Sequence, residues 1–257
     1  MSDPNHLTIC PDVDSLAARA AETIVRMARE AIAQRGRFTL VLAGGSTPEK
    51  TYQRLANSEM ASKIDWAKAF LFMGDERFVP ADDPASNFGM VHRSLLCHGQ
   101  VPTQNVFPVP TDCESAGQAA SQYGELISQF FGQALDTAPP PTFDMVLLGL
   151  GDDGHTASLF PGMPALAVKD AWLTSTPPGR LPPPVDRVTM TFPILNQARH
   201  VLFLVAGEKK AQILQEILEE EPLVTKYPAA GIRSAAGGAS WLIDEGAAKL
   251  LHSSRFD

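Results

Sequence analysis

The chain has 257 residues, 44% of them apolar and 19% charged, a globular composition that can bury a sizeable core. Its formal net charge of -8 argues against nucleic acid or an anionic membrane as partner, because both demand a positive surface. It leaves room for a small anionic substrate, since a few basic residues can gather in one cleft.

The chain opens Met1-Ser2-Asp3-Pro4-Asn5-His6, with no basic region ahead of an apolar stretch, so no signal peptide is expected. Apolar and alanine positions then recur at helical spacing over residues 14–35 (Leu16, Ala20, Ile24, Met27, Ala31), and Gly36 supplies a stop. Residues 38–43 read as a buried strand ending at Gly44-Gly45-Ser46-Thr47. Pro48 fits the first turn of the next helix, with Ser46 or Thr47 as N-cap. Residues 69–73 predict a second buried strand, ending at Gly74-Asp75-Glu76-Arg77, and residues 87–96 and 115–135 predict helices. Pro139-Pro140-Pro141 breaks the chain before a strand over 143–150.

The alternation continues with strands expected at 171–176 and 187–191, separated by a proline-rich loop at 177–184. A short helix leads into Arg199; a buried strand at 200–206 and a helix at 208–219 follow. A last strand at 241–244 and a helix at 245–251 complete the series. Short apolar runs alternating with helices imply βαβ units and an α/β fold with a mostly parallel, Rossmann-like sheet sandwiched by helices. With no internal repeat or long linker, residues 1–257 are expected to form a single domain. No apolar run approaches membrane-spanning length. Cys10, Cys97 and Cys113 form no close pair, which suits a reducing compartment, so a soluble cytoplasmic protein is the default.

Chemistry concentrates where the strands end. In parallel sheets ligands bind at the carboxyl edge, and Gly149-Leu150-Gly151-Asp152-Asp153-Gly154-His155 puts two carboxylates and a histidine there. The stretch formally matches G-x-G-x-x-G, but two acids facing a pyrophosphate make the electrostatics wrong for a dinucleotide. His155 alone among six histidines follows a buried strand inside such a loop, making it a candidate for acid–base chemistry. His200 opens a strand and reads as structural, while His6, His92, His98 and His252 lack supporting context. Gly44-Gly45-Ser46-Thr47 outlines a phosphate site, in which glycines admit close approach and a helix N-terminus favours an anion; a tight turn with an ordinary cap is the competing reading. It is not a P-loop, for the Gly-Lys-Ser/Thr ending is missing. Arg77 could hold an anion at the same sheet edge, or pair locally with Glu76. Lys210 opposes the helix dipole in Gly207-Glu208-Lys209-Lys210-Ala211, which hints at an anionic ligand, although taken alone the feature reads first as an exposed lysine pair; Arg187 is similarly ambiguous by itself. Asp75, Glu76, Asp152 and Asp153 are oxygen ligands of the kind magnesium takes, but the basic residues nearby argue against any metal. No G-x-S-x-G elbow exists to support a common serine hydrolase.

Together these loops resemble the 6-phosphogluconolactonases, within the superfamily shared with glucosamine-6-phosphate isomerases/deaminases. The matching stretches are Leu42–Pro48, Gly74–Pro80, Ser86-Asn87, Gly149–Pro161, Arg187–Thr191 and Gly207–Ala211, in the family's order and nearly end to end. The resemblance implies the glucosamine-6-phosphate deaminase/ribose-5-phosphate isomerase type of fold, no cofactor, and hydrolysis of 6-phosphoglucono-δ-lactone in the oxidative pentose phosphate pathway. It implies His155 as base; by position alone Asp153, two residues earlier, is the partner expected to fix its tautomer, with Asp152 the competing candidate. It places phosphate on Gly44, Gly45, Ser46 and Thr47. Arg77, Arg187 and Lys210 are left to share the phosphate and the lactone carbonyl, and Asp75 and Asn87 are further candidates. The partner implied is the sugar-phosphate lactone, and the assembly a monomer or small homo-oligomer. The deaminase branch carries Asp-Gly-His-Ile-Ala-Phe-Asn-Glu-Pro, whereas this chain reads Asp153-Gly154-His155-Thr156-Ala157-Ser158-Leu159-Phe160-Pro161, without the acid. Two rivals are a deaminase acting on glucosamine 6-phosphate and a non-catalytic sugar-phosphate-binding domain.

Overall fold

A computed structural model describes residues 7–179, 183–220, 222–235 and 237–252. Strand β1 (Leu7–Cys10) leads into α1 (Val13–Arg35), which Asp12 caps by accepting from the Ser15 N–H at 2.7 Å. Gly36 closes this helix at φ 75°, a left-handed conformation that a side chain resists. Leu16, Ala20, Ile24, Met27 and Ala31 form its buried stripe, as the 3.6-residue spacing requires. Next come β2 (Phe38–Leu42), α2 (Ser46–Ala56), α3 (Ser58–Ala61), β3 (Ala69–Met73), β4 (Asp75–Arg77) and α4 (Asn87–Ser94). The chain continues through β5 (Val106–Phe107), α5 (Ala116–Phe131), β6 (Met145–Leu148), β7 (Leu173–Thr176) and β8 (Arg187–Met190). It finishes with α6 (Phe192–Asn196), β9 (His200–Val205), α7 (Ala211–Glu219), β10 (Ser240–Asp244) and α8 (Glu245–Ala248).

Seven strands pair in parallel in the order β1-β10-β9-β6-β2-β3-β5. From β2 the chain moves outward to β3, while from β6 it moves the other way to β9. The connections therefore diverge between β2 and β6, and such a switch point opens a crevice at the carboxyl edge. Every residue of β2 and β6 is buried, so their carboxyl ends are held rigidly on either side of that crevice.

The expected parallel sheet does not include the strands at 171–176 and 187–191. They join β4 in a separate antiparallel sheet, ordered β4-β8-β7. Gly74 is the hinge between the two sheets: its N–H donates to the Leu42 carbonyl at 2.9 Å, and its carbonyl accepts from the Met190 N–H at 2.9 Å. Gly74-Asp75-Glu76-Arg77 is thus a buried turn into a strand, where the sequence suggested a loop. Strands β1 and β5 escaped the sequence reading because both are edge strands, one half exposed and the other two residues long. Helix α5 stops at Phe131, four residues before the expected end, because Gly132 adopts φ 64°. Residues 208–210 form a 3₁₀ turn ahead of α7. Neither Ser46 nor Thr47 is the N-cap of α2; Gly45 takes that place at φ 104°. Part of the 177–184 loop, residues 180–182, lies outside the described residues. Among the described residues no helix is long and apolar enough to cross a membrane.

Candidate active site

A cleft of about 250 Å³ occupies the crevice between β2 and β6. That is just under the roughly 300–1,000 Å³ of drug-sized ligand sites, a volume for one small metabolite. Gly44, Gly45, Ser46 and Thr47 line one wall. Gly44 must be glycine, since a Cβ there would lie 2.0 Å from the Asn87 Oδ1. Gly45 brings no side chain to satisfy the first N–H groups of α2. An eleven-residue helix therefore presents an uncapped positive end to the cleft.

The opposite wall is the loop after β6. A Cβ on Gly151 would lie 2.0 Å from His155 Nδ1, so only glycine lets the imidazole fold back against the strand end. Gly154 turns the chain at φ 80° and has the Tyr227 ring against it. The Gly151 N–H donates to the His155 carbonyl at 2.9 Å, closing the loop. Asp153 Oδ1 accepts from the His155 backbone N–H at 3.1 Å and meets Nδ1 at 2.5 Å. Burial raises the Asp153 pKa, but hydrogen bonds and charge from His155 outweigh it and hold the carboxyl below its ordinary range. An ionised Asp153 is an acceptor, so Nδ1 carries the proton and Nε2 is left as the basic nitrogen. The Phe160 ring, 4.8 Å away between centroids, flanks the imidazole.

Sequence spacing could not choose between Asp152 and Asp153; the fold does. Asp152 forms an ion pair with Lys210, which arrives from the turn after β9, while Asp153 faces the histidine. The side chain of Lys210 is 20% exposed and lines the cleft.

Strand β4 supplies the floor. Asp75 is buried and lines the cleft, held by the Ser158 hydroxyl at 2.6 Å and the Asn87 amide at 3.4 Å. Glu76 points the other way along the strand and is 1% exposed. It accepts from the N–H groups of Arg77, Asn87 and Phe88 and from the Ser86 hydroxyl, anchoring the start of α4 beneath the cleft. Burial pushes the Glu76 pKa up, against the pull of these donors. Because four donors converge on an acceptor-only group, Glu76→Gln must set an amide against N–H groups. Urea unfolding is expected to show a loss of about 1–3 kcal/mol for this variant.

Arg77 lines the cleft, donates Nη1–H to the Ala85 carbonyl at 2.5 Å, and keeps a buried Nε with no partner. Arg187, expected beside it, is not brought to the cleft wall. It pairs with Arg77 across the β4–β8 ladder, but its Nε and Nη2 donate to the carbonyls of Val185 and Pro183. Burial and the neighbouring Arg77 both lower its pKa. The structure thus gathers His155, Asp75, Asn87, Arg77, Lys210 and the Gly44–Thr47 wall, and leaves Arg187 behind them. Ser158 and Phe160 lie in the motif stretch but take no role from sequence alone, and Tyr227 lies outside every motif, because each supports the site through a contact set only by the fold. Among the described residues no group of three or more His, Cys, Asp or Glu could hold a metal ion.

The family model for glucosamine-6-phosphate isomerases/6-phosphogluconolactonase matches residues 11–241. A 6-phosphogluconolactonase of Synechocystis is 40% identical over 236 residues, 92% of this chain and 94% of the relative. The chain belongs to that family. Both the β2 loop and the β6 loop described above fall within the matched span. A solved 6-phosphogluconolactonase from Trypanosoma cruzi superposes with TM-score 0.86 at 30% identity, covering 97% of each chain. A monomeric glucosamine-6-phosphate deaminase shares the fold at TM-score 0.78 and 22% identity, over 95% of this chain and 99% of its own. The family architecture is therefore common to both branches, and the separation between them rests on the loops.

Proposed function

We infer that this family member hydrolyses 6-phosphoglucono-δ-lactone to 6-phosphogluconate, the second step of the oxidative pentose phosphate pathway. The observation that carries the chemistry is a histidine, oriented by an ionised carboxylate, in one small cleft with an uncapped helix end, a lysine and an arginine. Residues 1–257 act as one catalytic unit, and three unpaired cysteines suit a cytoplasmic setting.

The sugar phosphate binds with its anionic end against Gly44, Gly45, Ser46 and Thr47, with Lys210 supplying the countercharge. Water adds to the lactone carbonyl as Nε2 of His155 takes its proton, forming a tetrahedral oxyanion and an imidazolium. Asp153 stabilises that imidazolium. Donors at the cleft, with the guanidinium of Arg77 foremost, lower the energy of the negative charge, an effect of roughly 10²–10³-fold per donor in known oxyanion sites. Collapse of the intermediate breaks the bond from the carbonyl carbon to the ring oxygen. The ring oxygen leaves with the proton from Nε2, regenerating neutral His155, and the new acid loses its own proton to solvent.

A pH-stat assay with freshly made 6-phosphogluconolactone, corrected for spontaneous hydrolysis, tests this reading directly. Acid release above the uncatalysed rate is expected, with none of the ammonia that glucosamine 6-phosphate would yield under deamination. Lys210→Ala is expected to raise KM for the phosphorylated lactone about 10- to 100-fold, the equivalent of ~1.5–3 kcal/mol for a hydrogen bond to a charged group. An unchanged preference for phosphorylated over unphosphorylated lactone in that variant would remove Lys210 from phosphate binding.

A further inference from the structure

Two fully buried tyrosines, neither of them in the cleft wall, terminate the strands that deliver its loops. The Leu42 carbonyl accepts from Gly74 on the β3 side, so alternation turns the polar groups of Ala43 toward β6. Pairing between β2 and β6 has already ended at Val41, where the crevice opens. Ala43 thus has a buried N–H and C=O with no strand neighbour. The Tyr52 hydroxyl, reaching back from α2, accepts from the Ala43 N–H at 2.9 Å and donates to its carbonyl at 2.9 Å. One strand over, β5 ends at Phe107, opposite Phe72, and leaves Met73 in the same position. The Tyr123 hydroxyl of α5 accepts from the Met73 N–H at 2.7 Å and lies 3.1 and 3.2 Å from the carbonyls of Met73 and Phe107. Ala43 immediately precedes Gly44, and Met73 immediately precedes Gly74.

We propose that Tyr52 and Tyr123 are positioning residues for the reaction, each replacing an absent strand neighbour so that a cleft loop leaves the sheet at a fixed point. A splayed sheet edge is needed to make room for substrate, and it strips backbone groups of their ladder partners. A phenol hydroxyl both donates and accepts, so one atom satisfies both groups and excludes water from the seam. Burial pushes the pKa of both tyrosines up, so each hydroxyl keeps its proton and its double role. Tyr52 governs the Gly44–Thr47 wall and Tyr123 governs Asp75 and Arg77.

This inference rests on the reading of the Gly44–Thr47 loop as the phosphate wall, and the test separates the two. Y52F is expected to raise KM for the lactone about tenfold, and to weaken inhibition by inorganic phosphate by the same factor. That is well inside the ~10²-fold that a 1 Å misplacement can cost, and kcat should stay within about threefold. Y123F is expected to lower kcat/KM about tenfold. L55A removes a fully buried side chain from the same helix as Tyr52. It should lower Tm while leaving KM within about twofold. Wild-type KM and phosphate inhibition in Y52F would overturn the role of Tyr52, as would an equal rise in KM for L55A at matched Tm. Unchanged kcat/KM in Y123F would overturn that of Tyr123. G45A, strained at φ 104°, reports on the loop itself. If G45A raises KM and Y52F does not, the clamp alone fails; if neither does, the phosphate wall has failed with it.

Discussion

His155→Asn is expected to lower kcat about 10²–10⁴-fold, the contribution typical of a positioned general base, with KM changed little. The substitution keeps a polar side chain of similar reach on a loop closed by backbone hydrogen bonds from Gly151 and Gly154, so the fold should survive it. What disappears is, among the described residues lining the cleft, the one histidine, and with it the ring nitrogen opposite the one that Asp153 orients. The effect has a ceiling, because an activated ester reacts with water unaided and the other cleft donors remain. Steady-state kinetics corrected for spontaneous hydrolysis decide the matter: turnover within a factor of three of wild type would take His155 out of the mechanism.

Asp153→Ala should fall into the same range, roughly 10²–10⁴-fold in kcat, since it removes both the orientation of the ring and the charge that stabilises the imidazolium. Asp153→Asn should fall less. One oxygen, Oδ1, serves both the backbone N–H and Nδ1 of His155, and an amide oxygen can accept the same two bonds. Only the charge is then lost, so the ratio of the two variants separates orientation from electrostatics. The stability linkage has a definite sign. The Asp153 carboxyl titrates below its ordinary range when folded, so its stabilising pairing is fully present above the unfolded value of about 3.9. It is lost as pH falls through the depressed folded value. Urea unfolding should therefore separate wild type from Asp153→Ala at pH 7, with the gap narrowing below pH ~4.

Much of the main sheet is legible in the amino-acid sequence. β2, β3, β6 and β9 are almost wholly apolar runs, interrupted only by Thr39 in β2 and opened by His200 in β9, a pattern imposed by burial on both faces. β1 and β5 were invisible for the opposite reason, as edge strands too short or too exposed to show a period. β7 and β8 read as strands, but their pairing with β4 in a second, antiparallel sheet has no signature in the sequence. Apolar pattern reports burial, whereas strand direction depends on where Gly74 bends the chain out of the parallel ladder.

At the site, loop composition pointed to Gly44–Thr47, His155, Arg77 and Lys210, because close backbone approach, acid–base work and anion binding each demand particular residue types. The sequence by itself thus determined the residue chemistry and the strand ends that carry it. Only the tertiary structure decided the partnerships: Asp153 with the histidine, Asp152 with Lys210, Arg187 turned onto backbone carbonyls, and Glu76 beneath α4. The reason is that a side chain's type is local, while its partner depends on distances between segments as far apart as residues 152 and 210, which only a packed core can set.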